Sequence, residues 1–286
     1  MRFSQHLQSL GMAALQHLVY SNVYIALLAT AALWQTSLLL ETALPWPLIG
    51  LVFFATLAHY NLDRLLEYKH FSTSTQTRLQ WLGQRKKALV VFTLLAVLAA
   101  TYFLSLQTTA VVRWVALLVL VALAYSLFFS GIKKQRKLAA LGALKPLLIG
   151  FVWMGMGPGL LLVALQRPVA NHWPWLLSNM LFFSALYLPF DYRDREQDRE
   201  KGIQTLALRL PNVAYGRVLL ALLLVHWALF NFSFPAYALW LLPSTAFAMW
   251  LSLHSLNRNK EWLYVFGIDG LIGLQAIGIA LQHYWR

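Results

Sequence analysis

The chain is 286 residues long, 59% hydrophobic and only 12% charged, with a mean hydropathy of +0.59, a net charge of +13 and no cysteine. Soluble domains carry about 45–50% apolar and about 25% charged residues, so this composition excludes an ordinary soluble enzyme, a disordered chain and a disulfide scaffold. The lack of cysteine also removes thiolate metal sites and cysteine nucleophiles, and leaves a polytopic membrane protein whose spans each need about 20 apolar residues.

In chain order, residues 1–17 place Phe3, Leu7, Leu10 and Leu15 at helical spacing, which predicts an interfacial lead-in helix. They do not read as a cleavable signal, because no short apolar core with a small-residue cleavage site precedes the first span. Apolar runs near 18–40, 46–62, 88–106, 110–130, 141–165, 173–190, 213–232, 235–253 and 263–283 then predict nine transmembrane helices. None alternates polar and apolar residues as a membrane barrel strand does. The expected fold is an all-α bundle forming a single integral-membrane domain over 1–286, with motif loops near 59–87 and 191–212.

The loops alternate in charge. Eighteen of the 23 Lys and Arg residues fall at Arg2 and in the connections after the second, fourth, sixth and eighth runs. Only Arg113, Arg167 and Arg286 fall in the opposite set. Cytoplasmic loops retain Lys and Arg, which puts the N-terminus and the basic loops in the cytoplasm and the C-terminus outside. The expected location is a prokaryotic plasma membrane. This topology accounts for most of the positive charge without a nucleic-acid partner. Trp46, Trp173, Trp175, Tyr237, Tyr264, Tyr284 and Trp285 flank spans, as interfacial anchors do.

The ten acidic residues carry more information. Seven sit in two clusters: Asp63 and Glu67, then Asp191, Asp194, Glu196, Asp198 and Glu200. The clusters read Asp63-Arg64-Leu65-Leu66-Glu67 and Asp194-Arg195-Glu196-Gln197-Asp198, each an acid, an Arg and an acid four residues after the first. Each follows an even-numbered span, four helices apart, which suggests two four-helix halves plus a ninth helix. Carboxylates at i and i+4 share a helical face and repel unless a cation lies between them. Mg²⁺ takes one or two carboxylates plus substrate phosphates, so two such faces across a cavity are suited to a pair of Mg²⁺ ions around a diphosphate. The blander account is a carboxylate–arginine network that solvates helix ends. Gly202 is positioned to break the helix after the second cluster, and Thr205 to start the next element.

The stretch DYRDREQDREKGIQTLALRLP at 191–211 resembles the second aspartate-rich motif of the UbiA superfamily of intramembrane prenyltransferases. It is most similar to the branch that prenylates dihydroxynaphthoate and related rings, whose motif has the form RDxxxDxxxGxxTLAxRLG. Arg193, Asp194, Asp198, Gly202, Thr205, Leu206, Ala207, Arg209 and Leu210 occupy matching positions. The first motif departs from the family pattern of Asn, Asp and Asp at four-residue steps. Asp63 and Glu67 take the acidic places, His59 stands at the Asn place, and Asn61 lies two residues out of register. Histidine suits Mg²⁺ poorly, so His59 is expected to bind a phosphate or orient Asp63.

The resemblance implies Mg²⁺-dependent transfer of a prenyl group from an isoprenyl diphosphate to a lipophilic or aromatic acceptor amid membrane lipid. It implies metal binding by Asp63, Glu67, Asp191, Asp194 and Asp198, with Asp63, Asp194 and Asp198 catalytic. The diphosphate is assigned to Arg64, Lys133, Lys134, Lys145, Arg195, Lys201, Arg209, His59 and Asn61. The family often has a Tyr followed by Lys or Arg in the loop after the fourth span, which Tyr125 with Lys133 and Lys134 matches loosely. Lys145 lies just inside an apolar run beside Pro146, and intramembrane ionisable groups face an interior cavity. Asp269, Asn22 and Tyr125 are candidates for the acceptor or cavity lining, with structural pairing as the alternative for Asp269 and Asn22. Two other functions stay open: a family member that binds prenyl diphosphate or lipid without turnover, and an inverted-repeat transporter. A transporter places ionisable residues near the bilayer midplane, whereas these acids gather at one membrane face.

Overall fold

The structure, a computed structural model, describes residues 14–71, 77–129, 140–200, 202–256, 258 and 260–285. Every expected apolar run that falls within them is helical. The helices are α1 (Ala14–Tyr20), α2 (Val23–Leu39), α3 (Trp46–Phe71), α4 (Thr77–Ser105), α5 (Thr109–Phe129), α6 (Lys145–Met154), α7 (Leu160–Ala164), α8 (Trp173–Arg193), α9 (Arg195–Glu200), α10 (Leu206–Arg209), α11 (Asn212–Ser233), α12 (Ala238–Ser255) and α13 (Gly270–Tyr284). Single wide turns of π type at Gly155–Gly159 and Leu263–Ile268 interrupt the fifth and ninth runs without ending them. Both lie where Gly or Pro weakens the regular ladder, and Pro158 sits inside the first.

Four stretches are long and apolar enough to cross a membrane on their own: Gln80–Ser105, Gly142–Ala164, Asn212–Ser233 and Leu263–Tyr284. A fifth is the bent pair α1–α2. The first run is therefore not straight from residue 18. Its axis turns by 69° after Tyr20, where Asn22 adopts a left-handed backbone (φ 62°). Asn tolerates that region better than most residues. Large apolar side chains remain exposed on α4, among them Val91, Leu94 and Leu98. A contiguous apolar face of this kind is what lipid covers.

The chain contacts divide into two units, a partition different from two four-helix halves plus one helix. Unit 1 is Met1–Thr30 with Pro45–Gln107. There α3 and α4 lie side by side, and Ala26, Leu57 and Ala96 form a buried cluster flanked by Phe53 and Phe54. Unit 2 is Ala31–Leu44 with Thr108–Arg286. In it α8 packs against both α6 and α11. One of its core clusters includes Leu38, Met154, Leu162, Trp175, Phe230 and Ile279. Met154 closes α6 and Trp175 opens α8. That apolar cluster therefore fills the end of the unit remote from Lys145, which opens α6, and from Asp191, in the last turn of α8.

Candidate functional site

The acidic end of unit 2 is assembled by close helix contact. α6 and α8 run antiparallel and meet at Gly150 and Ser184. A Cβ at Gly150 would strike the Ser184 Oγ and the Met180 carbonyl oxygen, so only glycine permits this approach. Lys145 lies five residues before Gly150, and Asp191 seven residues after Ser184, which brings them to the same level. The end of α8 is held from the other side by Tyr215 on α11, whose hydroxyl donates to the Leu188 carbonyl oxygen at 2.7 Å.

Lys145 is 7% exposed and sits at the first position of α6. A buried ammonium at a helix N-terminus is unfavourable on both counts, since the helix dipole there is positive. Two buried carboxylates compensate. Lys145 Nζ donates to Asp198 Oδ2 at 3.2 Å and lies 3.8 Å from Asp191 Oδ1. The Tyr187 ring lies beneath it, 5.6 Å from nitrogen to centroid. Asp191 is 1% exposed and Asp198 4% exposed. Ionised, the three groups sum to one net negative charge away from water.

Asp191 is the least satisfied member. The Ala207 amide and Tyr215 hydroxyl lie near it. Neither of its buried oxygens, however, has a hydrogen bond of full geometry, and Tyr215 is committed to Leu188. The Thr205 hydroxyl, in the loop that follows, is likewise buried without a partner. Exposed oxygen lone pairs in a buried, net-negative setting suit a hard cation. Among the described residues no three His, Cys, Asp or Glu side chains converge. Mg²⁺ does not require that many, because it keeps water and substrate oxygens in its shell. The residues present therefore fit Mg²⁺ held by Asp191 and Asp198.

Asp194 stands at the junction of α8 and α9. The sequence pattern places it on one helical face with Asp198. α8 ends at Arg193 with Asp194 as its C-cap (φ −88°, ψ 4°), and the four-residue step continues through it, since the Asp198 amide donates to the Asp194 carbonyl oxygen at 3.0 Å. The Asp194 carboxylate turns to Arg193, accepting from Nε at 2.7 Å and from the second terminal nitrogen at 3.0 Å. The Arg193 guanidinium in turn lies over the Phe190 and Tyr264 rings, 5.2 and 4.9 Å from their centroids. The carboxylates that meet at Lys145 are thus Asp191 and Asp198. Gly202 supplies the expected stop after α9 with φ +72°, and its amide bonds to the Arg199 carbonyl at 3.0 Å.

The cations assigned to diphosphate do not all gather at this cluster. Arg195 stacks on Tyr192 at 4.1 Å and lies 3.6 Å from Glu196. Arg209 closes α10 and is exposed. Lys133, Lys134 and Lys201 lie outside the described residues, and the side chain of Tyr125 does too. Asp269 caps α13 after the second wide turn and is half-buried.

In unit 1 the first motif lies on one continuous helix, α3. His59 Nε2 is 3.5 Å from Asp63 Oδ2, one turn away. Asn61 is fully buried and its Oδ1 accepts from the Asn22 amide at 2.8 Å. That pair bridges α3 to the α1–α2 bend. Arg64 is half-buried on the same helix, and the side chain of Glu67 lies outside the described residues. The contacts at this end that sequence reasoning missed are those of Tyr215 with Leu188 and of Arg193 with Asp194. Tyr215 has no local signature, since its partner is 27 residues away.

The model of the UbiA prenyltransferase family matches residues 84–266, more than half of the chain. No curated protein matches it. Two solved structures share its fold. One, described as the apo structure of a UbiA homolog from Aeropyrum pernix K1, has a TM-score of 0.64 and 14% identity over 91% of this chain and 97% of its own. The other, from work on digeranylgeranylglyceryl phosphate synthase in membranes, has a TM-score of 0.59 and 11% identity over 95% and 98%.

Proposed function

The chain belongs to the UbiA prenyltransferase family, and from that premise we propose that it transfers a prenyl group from an isoprenyl diphosphate to a lipophilic or aromatic acceptor within the membrane, with Mg²⁺ as cofactor. The motif's likeness to the dihydroxynaphthoate branch favours an aromatic acceptor. The observation that carries the reading is the buried Lys145–Asp191–Asp198 cluster, which combines a fixed ammonium with an excess carboxylate at one end of an apolar unit. Asp191 and Asp198 would hold the metal, which would supply positive charge to a leaving diphosphate. Lys145 adds a preorganised cation at the same place. In the transfer the allylic C–O bond breaks and its electron pair leaves on the diphosphate. An acceptor carbon then bonds to the allylic carbon and releases its proton. The apolar walls of unit 2 keep water from the allylic cation.

We further propose that the N-terminus and basic loops face the cytoplasm of a prokaryotic cell. Asp194, paired with Arg193, then acts by positioning the end of α8. A second reading is a member that binds prenyl diphosphate without turnover, and the replacement of the usual Asn by His59, engaged with Asp63, favours it. Thermal stability of the purified protein with Mg²⁺ and a non-hydrolysable prenyl thiodiphosphate tests the shared claim. Stabilisation that needs both components, and is lost in Asp198→Asn, is expected. No stabilisation would overturn both readings. Stabilisation without turnover of the natural diphosphate would select the second.

A further inference from the structure

Unit 1 carries a feature that prenyl transfer does not use. An open groove of about 530 Å³ lies between α1 and the start of α4, lined by His17, Leu18, Trp81, Arg85, Leu89 and Phe92 among others. We propose that this groove holds an anionic phospholipid, with the phosphate at Arg85 and an acyl chain along Leu89 and Phe92.

The argument begins with depth. Arg85, Leu89 and Phe92 are four and three residues apart on α4, so they line one side of the helix. Phe92 lies about 10 Å further along the axis than Arg85 at the rise of an α-helix. That offset is the passage from headgroup level into the acyl region. Beyond Phe92, Leu94, Leu95, Val97 and Leu98 on α4 are exposed and apolar, while the other end carries Arg85, Lys86 and Lys87. The groove therefore crosses the membrane boundary. The opposite wall, α1, leaves the axis of α2 by 69°, as a helix lying along an interface would.

Charge selects the occupant. The Arg85 guanidinium lies over the Trp81 ring, 5.2 Å from its centroid, and its Nη1 donates to the neighbouring Gln84 amide oxygen at 3.2 Å. Among the described residues no carboxylate pairs with it, and no acid lines the groove. Trp81 also meets His17 and Tyr20 edge-on at 5.5 and 5.7 Å. The result is a cation held in place by an aromatic cluster above an apolar trough. This matches an amphiphile with an anionic head: an uncharged lipid would leave the cation uncompensated, and in a zwitterionic lipid the ammonium of the headgroup offsets the phosphate.

The test uses the full chain in nanodiscs and the fluorescence difference between wild type and Trp81→Phe. Acyl-brominated phosphatidylglycerol is expected to quench the Trp81 signal at about fivefold lower mole fraction than acyl-brominated phosphatidylcholine, the preference one cation at a membrane surface confers. Arg85→Gln should bring the two curves together, and Ala88→Leu, which narrows the groove, should weaken both. Equal quenching by the two lipids in wild type would overturn the proposal, as would a preference that survives Arg85→Gln. Displacement of the brominated lipid by a prenyl thiodiphosphate at low concentration would overturn it too, and would mark the groove as a substrate path.

Discussion

Replacing Lys145 by methionine probes the cluster at its centre. The ammonium is 3.2 Å from Asp198 and 3.8 Å from Asp191, with all three groups buried. At an effective dielectric constant of about 20 the two attractions amount to roughly 5 and 4 kcal/mol before desolvation is counted. Desolvation offsets much of this, and removing one partner of a buried pair typically costs about 3–5 kcal/mol. Lys145→Met should lose that much stability, because it leaves two buried carboxylates facing each other. Methionine keeps the length and apolar stem of lysine, so the loss reports charge. Reversible unfolding of the purified protein in detergent, followed by helicity, measures it. Two comparisons sharpen the result. Mg²⁺ should restore more stability to the variant than to wild type, since it replaces the missing cation. The triple variant Lys145→Met, Asp191→Asn, Asp198→Asn should recover most of the loss, since no charge remains buried. A Lys145→Met protein within about 0.5 kcal/mol of wild type, or a triple variant as unstable as the single, would refute the reasoning.

Three other outcomes follow from the same geometry. Gly150→Ala should cost about 1–3 kcal/mol, because its Cβ meets Ser184 and the Met180 backbone and α6 must move off α8; loss of activity should accompany it, measured by turnover at saturating diphosphate. Gly202→Ala has free space around the new methyl but a backbone at φ +72°, so it should cost about 1–2 kcal/mol in unfolding without blocking the site. In this cysteine-free chain, Lys134→Cys should react with a membrane-impermeant maleimide only from the cytoplasmic side, and labelling from outside would invert the proposed orientation.

The sequence made the helices legible because each apolar run is long and uniform, and the family motif located the second cluster. Lys145 was legible for an energetic reason: an ionisable group inside an apolar run requires a partner. Which partner was not legible. The i, i+4 spacing of Asp194 and Asp198 survives the junction of α8 and α9, but it does not say where each carboxylate points. Asp194 turns to Arg193, and the approach at Gly150 brings Asp191 to Lys145. Neither event leaves a periodic signal. The Asn22–Asn61 pair was hidden for the same reason, since it depends on a 69° bend that only one left-handed residue marks. The approach of His59 to Asp63 was easier to anticipate, because the two are one turn apart on the same helix.

The most direct test of the central claim is diphosphate release from labelled isoprenyl diphosphates of several lengths, assayed with purified protein, a panel of lipophilic and aromatic acceptors, and Mg²⁺ or a chelator. The account predicts acceptor-dependent release that requires Mg²⁺ and is abolished by Asp198→Asn and by Asp191→Asn. Release that persists in the chelator, or in both variants, would contradict it.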